Sequence, residues 1–128
     1  MHTFALNEIT EIKGRLKFFK LLVNGTCEYD EFEKEIENDG NYKSELNTII
    51  ARMHEIADLK SLPKEKFREL KPKSVNTEYE IKTKHLRVYL FHDKNTGRVI
   101  VCGGKKGTQQ SDIKHFRNIK KEYFKLKP

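Results

Sequence analysis

Residues 79–107 read YEIKTKHLRVYLFHDKNTGRVIVCGGKKG, and the alternation within this stretch decides the fold. Tyr79, Ile81 and Thr83 alternate with Glu80, Lys82 and Lys84; Leu86, Val88 and Leu90 then alternate with Arg87, Tyr89 and Phe91. A period of two marks strands whose two faces meet different surroundings. Arg98 to Cys102 is short and β-branched, and Lys94-Asn95-Thr96-Gly97 ahead of it is a hairpin turn. Three consecutive strands joined by tight turns predict an antiparallel meander. Gly103-Gly104-Lys105-Lys106-Gly107 is expected to be a loop leading to a final helix from about Ser111. Ile113, Phe116, Ile119 and Tyr123 lie on one side of that helix, with Lys114, Arg117, Lys120, Lys121 and Lys125 on the other.

Upstream the period changes. Tyr29, Phe32 and Ile36 recur at helical spacing, with Thr26 available as N-cap and Gly40 as stop, predicting a short acidic helix. Its charges Glu31, Glu33, Glu35 and Glu37 read as a solvated face. Leu46, Ile49, Ile50, Met53, Ile56 and Ala57 give a second amphipathic helix from about Tyr42 to Leu59. The two helices should form a hairpin laid on the sheet. Before them, Phe4, Leu6, Leu16, Phe18, Leu21 and Val23 are interleaved with polar residues and punctuated by Gly14 and Asn24-Gly25, which reads as two strands. Ser61 to Lys73, with Pro63 and Pro72, reads as a connecting segment anchored by Phe67 and Leu70.

The whole is an α+β single domain over 1–128. Charged residues make up 35% of the chain and apolar ones 36%, yet eight Phe and five Tyr supply a modest core, which argues against wholesale disorder. The net charge of +7 is unevenly spread: Lys82 to Pro128 holds 13 basic and 3 acidic residues, net +10, and the rest of the chain is net −3. Such asymmetry implies a polyanionic partner, most often nucleic acid. The apolar run around Phe18 to Val23 is interrupted by Lys20 and far too short to cross a bilayer, and the amino terminus has no export pattern. The expected location is the cytoplasm, with Cys27 and Cys102 as separate reduced thiols.

The candidate chemistry lies in the basic residues. Lys82 and Lys84 share a strand face, Arg87 is on the next strand, and Lys105 and Lys106 follow the third. Like charges brought together on adjacent strands repel, so convergence makes most sense around a phosphate; the alternative is that Lys82 and Lys84 simply decorate a solvent-facing sheet. Gly103-Gly104 permits close backbone approach to an anion, but the spacing fits neither a P-loop nor a dinucleotide fingerprint. His54, His85, His92 and His115 are scattered, with Asp93 the one acid beside a strand histidine, so neither metal nor cofactor is implied. Catalysis by Lys, Arg, His and Tyr needs a substrate that brings its own nucleophile, as RNA does with its 2′-OH.

Phe67-Arg68-Glu69-Leu70, Tyr79-Glu80-Ile81-Lys82, Leu86-Arg87-Val88-Tyr89-Leu90-Phe91, the hairpin turn, Gly103-Gly104-Lys105-Lys106 and a terminal helix ending in Tyr123 together resemble the RelE/ParE superfamily of type II toxins, most closely its HigB-like, phage-derived branch. The resemblance implies a RelE-like fold, with the meander packed against an amino-terminal helical hairpin and followed by a basic carboxy-terminal helix, and residues 1–15 as an amino-terminal addition to the usual family length. It implies a ribosome-dependent mRNA endoribonuclease, an mRNA interferase acting in the ribosomal A site and restrained by a co-encoded, DNA-binding antitoxin. Carried over by position, Lys82 and Lys84 match basic sites on the central strand, Arg87 matches the strand arginine, and Lys106 matches a phosphate clamp, with Lys105 an RNA contact beside it. Arg87 and Lys106 are then charge stabilisers, and Lys84 or His85 is the proton acceptor. Lys114, Arg117, Lys120 and Lys121 would grip ribosomal RNA or an acidic antitoxin. The sequence departs from the family where a tyrosine is expected early in the last helix: Ser111-Asp112-Ile113 stands there, and Tyr123 reads as a packing residue. His92, at a strand end beside Asp93, is a further acid or base candidate. Two other readings remain on the same fold: a ParE-like, non-catalytic inhibitor of DNA gyrase, and a nucleic-acid-binding module that does not cut.

Overall fold

The computed structural model describes residues 2–126. In chain order the elements are β1 (Phe4–Glu8), β2 (Phe18–Val23), α1 (Glu28–Asp39), α2 (Lys43–Ala57), β3 (Phe67–Glu69), β4 (Glu78–Lys82), β5 (Leu86–Asp93), β6 (Gly97–Lys105), a 3-10 turn (Lys106–Thr108) and α3 (Gln109–Leu126). One mixed sheet carries all six strands in the order β1-β2-β6-β5-β4-β3. β3 to β6 form the antiparallel meander. β2 pairs parallel with β6 and antiparallel with β1, so β1 extends the sheet by one strand.

The alternation of the opening stretch sorts side chains onto the two faces. Leu86, Val88, Leu90, Ile81, Phe18 and Ile100 pack with Tyr29, Phe32 and Ile36 of α1 and with Leu46, Ile49, Met53 and Ile56 of α2. Tyr89, Phe91, Val99, Val101 and Leu21 pack on the other face with Phe116, Ile119 and Tyr123 of α3. Burying each large apolar side chain favours the fold by about 1.5–3 kcal/mol, so both faces need their helices. A register shift between Tyr89 and Leu90 inserts an extra β6 residue, which is why Val101 and Cys102 both join the α3 layer.

Several local expectations are corrected. The connecting segment contains a strand, β3, that pairs Phe67 with Ile81 and Glu69 with Tyr79. Gly103, Gly104 and Lys105 are the end of β6 rather than a loop. The glycines there admit close packing: a Cβ on Gly103 would stand 2.6 Å from the Phe32 ring, and one on Gly104 would stand 2.1 Å from Asp112 Oδ2. Gly103 thus makes room for α1 and Gly104 for the start of α3. Lys84 is not on a strand with Lys82; β4 ends at Lys82, and Lys84 sits in the turn into β5. Cys27, not Thr26, is the N-cap of α1, without a side-chain cap bond, whereas Gly40 ends the helix in the left-handed conformation as expected, at φ 80°. Cys27 is half-buried, Cys102 is buried, and both are free thiols. Among the described residues no helix is long and apolar enough to cross a membrane.

Candidate active site

The meander brings one end of β4, β5 and β6 beside the start of α2. Thr83, Lys84 and His85 form the β4–β5 turn, closed by Thr83 N–H donating to Leu86 O and Leu86 N–H donating to Thr83 Oγ1, each at 3.1 Å. Lys105 lies opposite Leu86 in the register, and Lys106 N–H donates to His85 O at 2.8 Å. Lys84, His85, Lys105 and Lys106 therefore lie along one sheet end, whereas Lys82 stands opposite Arg87 in the register and so shares the α3 face with it. Lys84, Lys105 and Lys106 are exposed and Lys82 is half-buried.

Glu45, in the first turn of α2, organises this end. Its carboxylate accepts from Thr83 Oγ1, from the His85 backbone N–H at 2.8 Å, and from His85 Nδ1 at 2.7 Å. Burial works against the charged carboxylate, but the bonds from Thr83 and His85 outweigh it and hold its pKa below the usual carboxylate range. An ionised carboxylate can only accept, so Nδ1 carries a ring hydrogen, and in the neutral imidazole Nε2 is then the proton acceptor. The His85 side chain retains 41% exposure against 18% for Glu45, so the imidazole is reachable while its partner is screened. Tyr42, the N-cap of α2, stacks on the His85 ring with centroids 4.6 Å apart and planes at 25°. Lys105 Nζ lies 5.7 Å from the Tyr42 ring centroid and 3.9 Å from Asp39. The stack and the carboxylate together fix the imidazole, and Lys105 brings a positive charge to the far side of the Tyr42 stack.

Glu45 and Tyr42 were missed by sequence reasoning. Glu45 stands 40 positions from His85, and in the sequence it reads only as a polar residue on an amphipathic helix.

Arg87 is placed differently from the expected clamp. Its side chain turns to the α3 face and is 5% exposed. Nη1 donates to Thr83 O at 2.5 Å and to Leu86 O at 2.8 Å, bracing the turn from behind. Its Nε stands 4.0 Å from Glu80. Glu80 is fully buried and accepts from Arg68 Nε at 2.9 Å and Gln109 Nε2 at 2.6 Å. The arginine thus belongs to a buried polar strip beneath the start of α3, with Lys82 as its cross-strand neighbour and apart from the His85 ring.

The helix cations separate in the same way. Lys114 and Lys121 are exposed. Arg117 donates to Glu78 at 2.9 Å and to Lys71 O at 2.7 Å. Lys120 is 8% exposed and bonds Ser74 Oγ, Asn76 O and Glu78. These two anchor α3 to β4 and to the segment before it, correcting the expectation that all four lie on one open face. Tyr123 packs against Phe4 and Phe91, as a packing residue should. His92 lies at the other end of β5; burial and the nearby Arg98 lower its pKa, against a smaller pull from Asp93. His115, on α3, pairs with Glu28 of α1 at 2.8 Å.

Among the described residues no group of three or more His, Cys, Asp or Glu is placed to hold a metal ion. No protein-family model, curated protein or solved structure matches this chain.

Proposed function

We propose that this chain is a metal-independent endoribonuclease of RelE-like type, acting on ribosome-bound mRNA and restrained in the cell by an antitoxin. The observation that carries the reading is the Glu45–His85 pair, with Lys84 in the same turn, Lys105 over the stacked Tyr42 ring and Lys106 bonded through its backbone to His85 O. It supplies what cleavage of RNA by its own 2′-OH requires. His85 Nε2 takes the 2′-OH proton, the 2′ oxygen attacks the adjacent phosphorus, and the P–O5′ bond breaks to leave a 2′,3′-cyclic phosphate and a 5′-OH end. The surrounding ammonium groups stabilise the charge that builds on the phosphate, and one of them protonates the departing oxygen. Of the two candidates for the base, His85 is favoured over Lys84 because its free nitrogen is an acceptor, whereas an exposed ammonium has only donors. Arg87 then acts as a positioning residue for the turn. The order of strand, helical hairpin, meander and final helix supports the RelE-like part of the reading, and the exposed Lys114 and Lys121 support docking on ribosomal RNA.

The enclosure of Arg87 favours one second reading: a nucleic-acid-binding module that docks through the same lysines without cutting. Incubating the protein with translating ribosomes and mapping mRNA ends separates the two. New 5′-OH ends that vanish in His85→Ala support cleavage; binding with intact mRNA supports the module. Relaxed DNA accumulating with intact mRNA would instead favour gyrase inhibition.

A further inference from the structure

Among the described residues the sheet has two free edges, β1 and β3. They differ in the devices that natural proteins use to prevent edge-to-edge pairing. β3 is three residues long, carries Arg68 and Glu69, and lies between Pro63 and Pro72. β1 is five residues, Phe4-Ala5-Leu6-Asn7-Glu8, with no lysine, arginine or proline.

The hydrogen bonds fix which backbone groups of β1 are unused. Ile9 N–H donates to Phe18 O and Asn24 N–H donates to Thr3 O, at either end of a register that pairs Phe4 with Val23 and Glu8 with Phe19. The odd-numbered residues therefore turn their backbone groups toward β2. Phe4, Leu6 and Glu8 turn theirs away from the sheet.

We propose that β1 is a homodimerisation edge, on which a second copy of this chain pairs its own β1 antiparallel about a two-fold axis at Leu6. In that register Leu6 faces Leu6 of the second copy and Phe4 faces Glu8, so every bonded position has outward groups on both strands. About six backbone hydrogen bonds form. Ala5 faces Asn7 at the intervening positions, and no like charges are opposed. The contact is isologous and closes on itself. Phe4 and Leu6 are partly buried against the α3-face core, and pairing continues that apolar layer across the seam. Beside it a groove of about 190 Å³ is lined by His2, Thr3, Phe4, Tyr123 and Leu126, and Leu126 is 50% exposed. A contact built on one five-residue strand is of the small, reversible class. The inference stands independently of the proposed nuclease activity.

Sedimentation velocity of the intact chain from about 5 to 300 µM tests it, a range that spans reversible micromolar association. The mass should rise with concentration from 15.2 kDa toward twice that value. Leu6→Pro removes an outward N–H and none of the β1–β2 bonds, and should stay monomeric with unchanged far-ultraviolet circular dichroism. A second variant covers loss of folding: Ala5→Cys with Asn7→Cys places thiols on Cα positions about 4.5 Å apart across the axis, within disulfide reach, and should give covalent dimers on mild oxidation. A chain that remains monomeric throughout, a folded Leu6→Pro that still dimerises, or a paired-cysteine variant without covalent dimers overturns the proposal. So does an edge whose amides gain protection only when a foreign peptide is added.

Discussion

Glu45→Gln is the most informative single substitution because it alters the direction of one hydrogen bond while preserving size. Glu45 has one oxygen on Thr83 Oγ1 and the His85 backbone N–H, and the other on His85 Nδ1. In the amide the first oxygen keeps both of its bonds, and the second becomes an NH₂ that donates. Nδ1 must then accept, and the ring hydrogen moves to Nε2, the atom facing solvent. Hydrogen bonds to a charged group contribute about 1.5–3 kcal/mol and neutral ones about 0.5–1.5. With the His85 side chain 41% exposed, solvent screening discounts that difference, and the expected loss of stability is about 1–2 kcal/mol, or a fall in Tm of roughly 3–10 °C. Cleavage should drop by roughly 10²–10³-fold, within the range for loss of a general base. Long-range ¹H–¹⁵N spectra of the neutral ring report the tautomer directly. A wild-type His85 with its hydrogen on Nε2, or no change of tautomer in Glu45→Gln, would refute the reasoning.

Gly103→Ala drives a Cβ to 2.6 Å from a Phe32 ring held between α1 and β6, and thermal melts should show a cost of about 1–3 kcal/mol. Gly104→Ala meets only the end of the Asp112 side chain, which can rotate away from Thr108, so its cost should be smaller, about 1 kcal/mol. Lys120→Ala removes a buried partner of Glu78 and should cost about 2–3 kcal/mol in urea unfolding, whereas Lys121→Ala should leave stability within about 0.5 kcal/mol. Lys121→Ala should instead weaken RNA binding and flatten its salt dependence by about one charge. The lowered pKa of Glu45 has a defined sign: its contribution is complete above the unfolded value near about 4.3 and is lost as pH falls through the lower folded value. The stability gap between wild type and Glu45→Gln, followed by urea melts, should hold at neutral pH and close below about pH 4.

The fold was legible where a period ran long enough to count. Alternation through β4, β5 and β6, the spacing of Tyr29, Phe32 and Ile36, and the Lys94–Gly97 turn each located an element. β3 was hidden because three residues cannot display a period, and what makes Phe67–Glu69 a strand is β4 alongside it. Gly103-Gly104 read as a loop since glycine pairs commonly turn the chain; here they serve helices packed on both faces of the strand. The meeting of Lys84, His85, Lys105 and Lys106 followed from tight turns between neighbouring strands, whereas Lys82 lies opposite Arg87 on the α3 face. Glu45 and Tyr42 did not, because α2 meets the β4–β5 turn only through tertiary packing. Arg87 and Lys120 were misplaced for a related reason: charge predicted exposure, but Glu80 and Glu78 on the α3 face of β4 supply buried partners.

The central claim is that His85, oriented by Glu45, cuts RNA. Primer extension and end-group analysis on mRNA incubated with translating ribosomes test it most directly. The account predicts 5′-OH and 2′,3′-cyclic phosphate ends with the wild-type protein and their loss in a folded His85→Ala variant. Intact mRNA with the wild type, or equal cleavage by His85→Ala, would contradict it.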